Sequence, residues 1–303
     1  MTNPQIVDAH HHIWRLDRLP WLAGPPVPRI FGSYDTLRRD YPIEEYAADA
    51  RPHGVTMSIH VQANVAPGGE TEEVEWAASC GSDAGLVQGA VGFADLSAPD
   101  VGNTLDRHMA VSALRGIRQQ LHWHRNPALS YAPAPDQMLR PEWQRGLRET
   151  TARGLLFELQ VFPEQYDHAI RLVDAFPDTT FVLMHAGMLE DRSPEGVAAW
   201  RQGLRRFAAR SNVFVKLPAL GTFTRRCRVE DWRPVVDTTV DTFGPDRCMF
   251  GSNFPIEKMW TTYGELLTVF RACVQHYSGS EQQQILQNVA VRTYRLAAEA
   301  TAG

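Results

Sequence analysis

A run of three histidines, His10, His11 and His12, follows Asp8 near the start of the sequence and is its most unusual feature. In a β-strand alternate side chains share a face, so this spacing predicts Asp8 on the same side as His10 and His12, with the middle histidine turned away. Two imidazoles at positions i and i+2 can bind one divalent ion or hydrogen-bond a substrate oxygen. The alternative is a polar network that only packs a strand end, although buried imidazoles would then need polar partners.

Other polar residues stand at the ends of short apolar runs, where they too could carry chemistry. They are Gln62, Arg118, Glu158, Gln160, His185, Lys216 and Asn253. Arg118 and Lys216 are candidates for binding a substrate. Alternatively, they are solvated or paired with Glu158 and Asp8. His185 follows an apolar run and is suited to proton transfer or to polarising a carbonyl, with a satisfied core histidine as the alternative.

Eight short apolar or β-branched runs bounded by turn residues predict the strands that must position these groups. They cover residues 5–8, 55–61, 86–93, 114–119, 155–161, 180–185, 212–217 and 247–252. Helical periodicity marks residues 43–52, 71–80, 98–111, 142–153, 164–176, 195–210, 230–243, 262–276 and 281–299. Alternating strands and helices without a linker predict an α/β protein, a single-domain (β/α)8 TIM barrel over residues 1–303. A nucleotide-binding doubly wound sheet would need a glycine-rich loop where this chain has its histidines.

Several residues mark the ends of the predicted helices. Helix starts are predicted where a proline or a cap precedes an acid, at Pro141, Pro163, Pro194 and Ser280. Gly154 and Gly244 are predicted to end two helices.

Two long irregular segments, residues 13–42 and 121–140, follow predicted strands and are rich in proline and aromatic residues. In a barrel they lie at the carboxyl-terminal rim, where loops of this kind cover a ligand. His122 and Trp123 in the second segment either line the substrate or pack the loop. The same rim gathers the scattered polar residues around one pocket. Rim aromatics such as Trp21 line that pocket or meet a neighbouring subunit, so a homo-oligomer is a further expectation.

Composition excludes several other classes of function. Thirty Lys and Arg against 35 Asp and Glu give a net charge of -5, which disfavours nucleic-acid binding and anionic membrane surfaces. Four scattered cysteines lack the spacing of a disulfide framework or a thiolate metal site. The N-terminus lacks the features of a signal peptide and no run reaches the length of a membrane span, so a cytoplasmic enzyme acting on a small molecule is expected.

Five sequence blocks carry a resemblance to a known family. They are Asp8–Trp14, Leu37–Tyr41, Gly116–Gln119, Lys216–Leu217 and Phe243–Ser252. In these blocks the chain resembles the amidohydrolase-related lactonases (amidohydrolase family 2) of the amidohydrolase superfamily, which include sugar-acid lactonases and pyrone dicarboxylate lactonase. The resemblance implies a distorted (β/α)8 barrel that hydrolyses a small polar lactone or cyclic ester. It also implies His10 and His12 at the first-strand metal position, since some members use one zinc or manganese ion and others none.

One residue departs from the family pattern. The family usually has an aspartate, its general base, where this chain has Asn253 in Gly251–Pro255. An amide cannot take a proton from water at neutral pH. Another group then acts as base, with His185, Glu158 and Glu257 as candidates. Otherwise the reaction is an isomerisation or decarboxylation of an acidic small molecule, the chain is an inactive ligand-binding paralogue, or the asparagine was introduced to trap substrate.

The hydrolytic hypothesis gives each candidate residue a role. His10, His12 and Arg118 stabilise the carbonyl oxyanion. His185 transfers the proton and Asn253 orients the attacking water. Substrate positioning falls to Gln62, Gln160, Lys216, His122 and Trp123.

Overall fold

The computed structural model describes residues 5–296, apart from the side chains of residues 82 and 83. Within this range eight parallel strands pair in sequence order. The strands are β1 (Ile6–His11), β2 (Val55–Val61), β3 (Val87–Gly92), β4 (Leu114–Ile117), β5 (Leu156–Leu159), β6 (Phe181–Leu183), β7 (Val213–Lys216) and β8 (Cys248–Met249). Each predicted strand is present, and the predicted (β/α)8 barrel is confirmed.

Helices alternate with these strands and cover the barrel. They are α1 (Pro20–Ala23), α2 (Ile43–Ala50), α3 (Glu70–Ala84), α4 (Val101–Met109), α5 (Pro141–Ala152), α6 (Tyr166–Ala175), α7 (Pro194–Ala208), α8 (Val229–Phe243), α9 (Tyr263–Val274), α10 (Gly279–Gln283) and α11 (Val289–Thr293). Gly154 and Gly244 follow α5 and α8 with positive φ angles, as predicted for helix ends. Among residues 5–296, no helix combines the length and the apolar character needed to cross a membrane.

The barrel closes between its last and first strands through backbone hydrogen bonds. Ala9 N donates to Phe250 O at 3.2 Å, and Asn253 N donates to His10 O at 2.8 Å. Strand β8 is only two residues long, so the closing contacts come mostly from the segment after it. This closure places Asn253 directly beside the histidine run.

The lower part of the barrel is filled by apolar side chains and plugged by the C-terminal segment. Val7, Met57 and Val182 from the strands pack with Val289 and Tyr294 of the last helical segment. Close packing of this kind makes the barrel interior a core rather than a pore. Room for a ligand inside the described part of the barrel therefore lies above this core, at the carboxyl ends of the strands.

Three predictions about element bounds were wrong. Strand β1 continues beyond the predicted end at residue 8 to His11, so His10 and His11 lie on the strand and His12 follows it. The predicted helix 281–299 is instead α10, a π-helical segment at Gln284–Asn288 and α11, and residues 297–299 lie outside the described residues. Its N-cap is Ser278, which forms a capping box with Glu281, and not Ser280.

Candidate active site

Asp8 does not share a face with His10 and His12, contrary to the prediction from strand alternation. Its carboxylate accepts hydrogen bonds from Tyr46 on α2 and Tyr263 on α9, each at 2.9 Å, and therefore faces the helices. The register of β1 against β2 is irregular after Asp8. An irregularity that adds one residue reverses the alternation, so the two histidines turn inward although Asp8 points outward.

The outward carboxylate of Asp8 instead holds the segment that follows β8. It accepts hydrogen bonds from the backbone N of Ser252 at 2.8 Å and from its hydroxyl at 2.6 Å. Burial raises the pKa of Asp8, against the effect of these donors. Ser252 precedes Asn253, so Asp8 fixes the backbone that presents the asparagine to the barrel mouth.

Three imidazoles meet at the top of the barrel interior. The ring centroid of His10 lies 5.0 Å from that of His12 and 5.2 Å from that of His185. His12 Nδ1 lies 2.6 Å from Val61 O. When Nδ1 donates to this oxygen, Nε2 is the acceptor nitrogen of the neutral ring. Neither ring nitrogen of His10 is hydrogen-bonded to the described chain. The middle histidine, His11, stacks on Tyr46 at 3.8 Å and faces away from the interior.

Burial and nearby cations keep these imidazoles uncharged. Removal from water lowers the pKa of His10 and His12 well below the ordinary range, and Lys216 and Arg118 add repulsion. For the same reasons the pKa of His185 falls to about 3. All three are therefore neutral at pH 7, so each ring presents one donor and one acceptor nitrogen.

A cleft opens above the imidazoles at the carboxyl ends of the strands. Six of the ten residues predicted for the site line it: His12, Arg118, His122, Gln160, His185 and Asn253. They come from strands far apart in the sequence. The barrel thus brings most of the predicted residues to one cleft.

The other four predicted residues do not line the cleft. His10 lies behind His12 and His185. Gln62 joins two strands, because its Oε1 accepts from Asn64 N at 2.7 Å and its backbone O accepts from Arg118 Nη2 at 2.5 Å. The backbone N of Trp123 donates to Gln165 at 2.8 Å, which anchors the loop.

Lys216, the fourth, lies in the barrel interior in a buried ion pair. Its ammonium is 2.5 Å from Glu158 Oε1, and both side chains are fully buried. Tyr294, from the C-terminal plug, donates to the same oxygen at 2.6 Å. Lys216 therefore forms an ion pair with Glu158, which was the alternative to a role in substrate binding. Glu158, one of the three candidate bases, does not line the cleft.

Several lining residues were missed by the sequence analysis. Asn64, Arg29 and Tyr131 come from loops and line the cleft beside the predicted Trp21. The Tyr131 hydroxyl donates to Asn64 Oδ1 at 3.1 Å, which joins the second long loop to the end of β2. Loop residues carry no periodic signal, so only the proline and aromatic content of residues 13–42 and 121–140 pointed to this region.

Asn253 is held between His10 and Glu257. Its φ angle of 59° lies in the left-handed region, which Asn and Asp tolerate better than other non-glycine residues. Glu257 is buried behind Asn253 and Thr222, and accepts from the indole of Trp260 at 2.7 Å. Thr222, which lines the cleft, donates to it at 3.3 Å. A Cβ at Gly221 would lie 2.5 Å from Glu257 Oε2, so only glycine permits this approach.

The buried carboxyl of Glu257 gives the fold a measurable pH dependence. Burial raises its pKa from 4.5 to about 8, so between these values the folded chain holds a proton that the unfolded chain has lost. Stability is then full below pH 4.5 and falls by about 1.4 kcal/mol per pH unit as the pH rises toward 8. Between pH 5 and 9, we expect the urea midpoint of Glu257→Gln to change less with pH than that of the parent chain.

The matched control is Glu265→Gln, because Glu265 lies on the surface at the start of α9. Its replacement should leave the slope between pH 5 and 9 as in the parent chain. Equal slopes for the parent and Glu257→Gln would contradict the assignment of the raised pKa to Glu257.

The described residues around His10 and His12 form no clear metal centre. Within residues 5–296 no group of three or more His, Cys, Asp or Glu side chains is arranged to hold an ion. The nearby charged groups Arg118 and Lys216 are cations, and both repel charge on His10. The third imidazole beside the two histidines predicted as metal ligands is that of His185, whose ring centroid lies 5.2 Å from that of His10.

Comparison with known proteins bears on this site. The profile of the family described as Amidohydrolase matches residues 7–296. The uncharacterized protein y4mH of Sinorhizobium fredii is 33% identical over 298 residues, which cover 98% of this chain and 100% of that protein. An L-fucono-1,5-lactonase of Burkholderia multivorans is 28% identical over 96% of both chains.

Solved structures share the fold. An amidohydrolase from Burkholderia multivorans, crystallised with bound zinc, superimposes with a TM-score of 0.82 at 25% identity. The match covers 97% of this chain and 100% of that one. Together these comparisons confirm the resemblance carried by the five sequence blocks.

Proposed function

The chain belongs to the amidohydrolase family, and from that premise we propose that it hydrolyses a small polar lactone or cyclic ester in the cleft at the carboxyl ends of its strands. The observation that carries the proposal is the convergence of Arg118 with neutral His12 and His185 on one cleft. A fixed cation beside neutral imidazoles is suited to stabilising the negative charge that forms when water attacks an ester carbonyl. The similarity to an L-fucono-1,5-lactonase supports the same class of reaction.

Arg118 is the group best placed to receive the carbonyl oxygen. Its side chain is 3% exposed, and one end is fixed by the hydrogen bond from Nη2 to Gln62 O. Its Nε has no partner in the described chain. A guanidinium held in this way does not need to reorganise when the oxyanion forms, and His12 adds a second donor or acceptor beside it.

The attacking water is assigned to the part of the cleft between Asn253 and His185. Nδ1 of His185 is buried and has no hydrogen-bond partner in the described chain, while the ring also contacts Pro218 O, so Nδ1 is the nitrogen left to accept a proton. Asn253 supplies a carbonyl and an amide for orienting water but no basic group. Thr222 and Glu257 lie next to Asn253 and offer a second route for the proton.

No step of this mechanism is assigned to a metal. The neighbouring amidohydrolase of known structure holds zinc, so divalent ions do occur in this fold. In this chain an asparagine stands at the strand-eight position and the adjoining side chains are cations. Among the described residues no group of three or more His, Cys, Asp or Glu side chains is arranged as the ligands of such an ion.

The proposal is tested by turnover of a lactone panel in H2¹⁸O, with the parent chain and Asn253→Asp side by side. Aldonolactones and dicarboxylate lactones form the panel, and proton release gives the rate. We expect one solvent ¹⁸O atom in the product carboxylate. We also expect the parent chain to turn over faster than Asn253→Asp, because the cleft is organised around the amide of Asn253.

Other outcomes have distinct meanings. Release of CO2 or an unchanged mass would replace hydrolysis with decarboxylation or isomerisation. Activity in Asn253→Asp alone would show that the parent is a disabled lactonase, and turnover by neither would favour a ligand-binding protein.

A further inference from the structure

The cleft has the opposite charge to the protein as a whole. The chain carries a net charge of -5, yet no Asp or Glu is among the described residues that line the cleft. Two arginines line it, Arg118 deep in the cleft and Arg29 from the first long loop. A positive cleft in an acidic protein focuses the field on anions and raises their local concentration.

Arg29 has no charge partner in the described chain. Its guanidinium carbon lies 4.9 Å from the ring centroid of Trp21 and 5.8 Å from that of Tyr131. No carboxylate among residues 5–296 forms an ion pair with it. Its partial burial lowers its pKa, which shows that the surroundings disfavour the charge. A cation in such a place is stabilised when an anion joins it.

The two rings that hold Arg29 are themselves fixed. The Trp21 indole donates to Ala63 O at 2.8 Å, and Tyr131 donates to Asn64 at 3.1 Å. Ring contacts use the faces of the planar guanidinium and leave its N–H edge free for hydrogen bonds. Arg29 is thus positioned before any ligand arrives, which lowers the entropic cost of binding.

His122 connects the two arginines. Its ring lines the cleft, and both Arg118 and Arg29 lower its pKa, after burial, to about 3. Both cations therefore act on the same part of the cleft. With Arg118 engaged by the lactone carbonyl, Arg29 remains available for a second group on the same molecule.

We propose that Arg29 recognises a carboxylate on the substrate, so that the chain acts on anionic lactones in preference to neutral sugar lactones. The inference rests on the proposed function in one respect, namely that the substrate is a lactone. Binding of an anion at Arg29 does not depend on turnover. Arg118 polarises the reacting carbonyl, whereas Arg29 binds a permanent charge at a distance from it. The two arginines therefore have separate tests.

The binding test uses citrate and its uncharged tricarboxamide as probes, by titration calorimetry at low ionic strength. We expect citrate to bind the parent chain and the tricarboxamide to bind more weakly. Arg29→Gln should weaken citrate binding by about tenfold or more, since a charge-assisted hydrogen bond is lost. Added salt should weaken citrate binding in the parent.

The matched control is Arg125→Gln, a charge change in the second long loop. The Arg125 side chain is exposed and pairs with Glu164, and it does not line the cleft. Citrate affinity should be the same in this variant as in the parent. Absence of citrate binding, equal binding of the tricarboxamide, or equal loss in the two variants would each overturn the proposal.

A turnover arm separates this inference from the proposed function. It compares 2-pyrone-4,6-dicarboxylate with L-fucono-1,5-lactone in the parent and in Arg29→Gln. Faster hydrolysis of the dicarboxylate, with KM raised in Arg29→Gln, supports both proposals. Faster hydrolysis of the neutral lactone overturns the anion preference while hydrolysis stands. Citrate binding that needs Arg29, without turnover of either lactone, supports the anion site while hydrolysis fails.

Discussion

Arg118→Lys is expected to lower kcat/KM by about 100- to 1000-fold on the lactone that the panel identifies, with little change in folding. The reason is geometric, because lysine keeps the charge but cannot hold Gln62 O with one nitrogen while presenting another to the carbonyl. Loss of one preformed oxyanion donor costs roughly this factor. Steady-state kinetics measure the loss, and the thermal midpoint checks the fold.

A control for this change is available on the same strand. Arg115 lies on β4 three residues earlier, and its guanidinium donates to Ser112 O and Gln88 O rather than to the cleft. Arg115→Lys should leave kcat/KM near that of the parent. If Arg118→Lys changed KM alone and left kcat intact, Arg118 would bind the ground state and would not stabilise the transition state.

Lys216→Met is expected to lower the free energy of unfolding by about 3–5 kcal/mol. The substitution leaves Glu158 buried without its cation, retaining only the hydrogen bond from Tyr294. Burial already lowers the pKa of Lys216, so the pair exists against a desolvation cost. Urea denaturation followed by circular dichroism measures the loss.

A double variant separates the ion pair from a direct role in binding. Lys216→Met with Glu158→Gln removes both charges and keeps an acceptor for Tyr294, so it should recover much of the lost stability. Unchanged stability with a raised KM in Lys216→Met would contradict the buried-pair assignment. It would return Lys216 to the substrate-binding role that the sequence predicted.

The barrel could be predicted because its signals are local. Strand β2 lies at residues 55–61 in both prediction and structure, since an apolar run bounded by turn residues leaves few other conformations. The C-terminal helix was predicted less well. Its periodicity continues through Gln284–Asn288, where the structure has a π-helical segment that no single-residue preference indicates.

The site was predicted in part, for a related reason. A polar residue at the carboxyl end of a barrel strand reaches the rim whatever its neighbours are, and this rule found His12, Arg118, His185 and Asn253. The rule does not say which way a side chain turns where the strand register is irregular, and the predicted orientation of Asp8 was wrong for that reason. Nor does it report that Lys216 has a partner across the barrel.

By itself the sequence determined the fold class, the family and the residue types available at the barrel rim. These depend on periodicity and on short motifs, which are properties of neighbouring residues. Only the tertiary structure decided that Asp8 holds Ser252, that Lys216 pairs with Glu158 and that Arg29 lies between two rings at the cleft. Contacts between distant residues set burial and charge, and it is burial and charge that determine what a polar side chain can do.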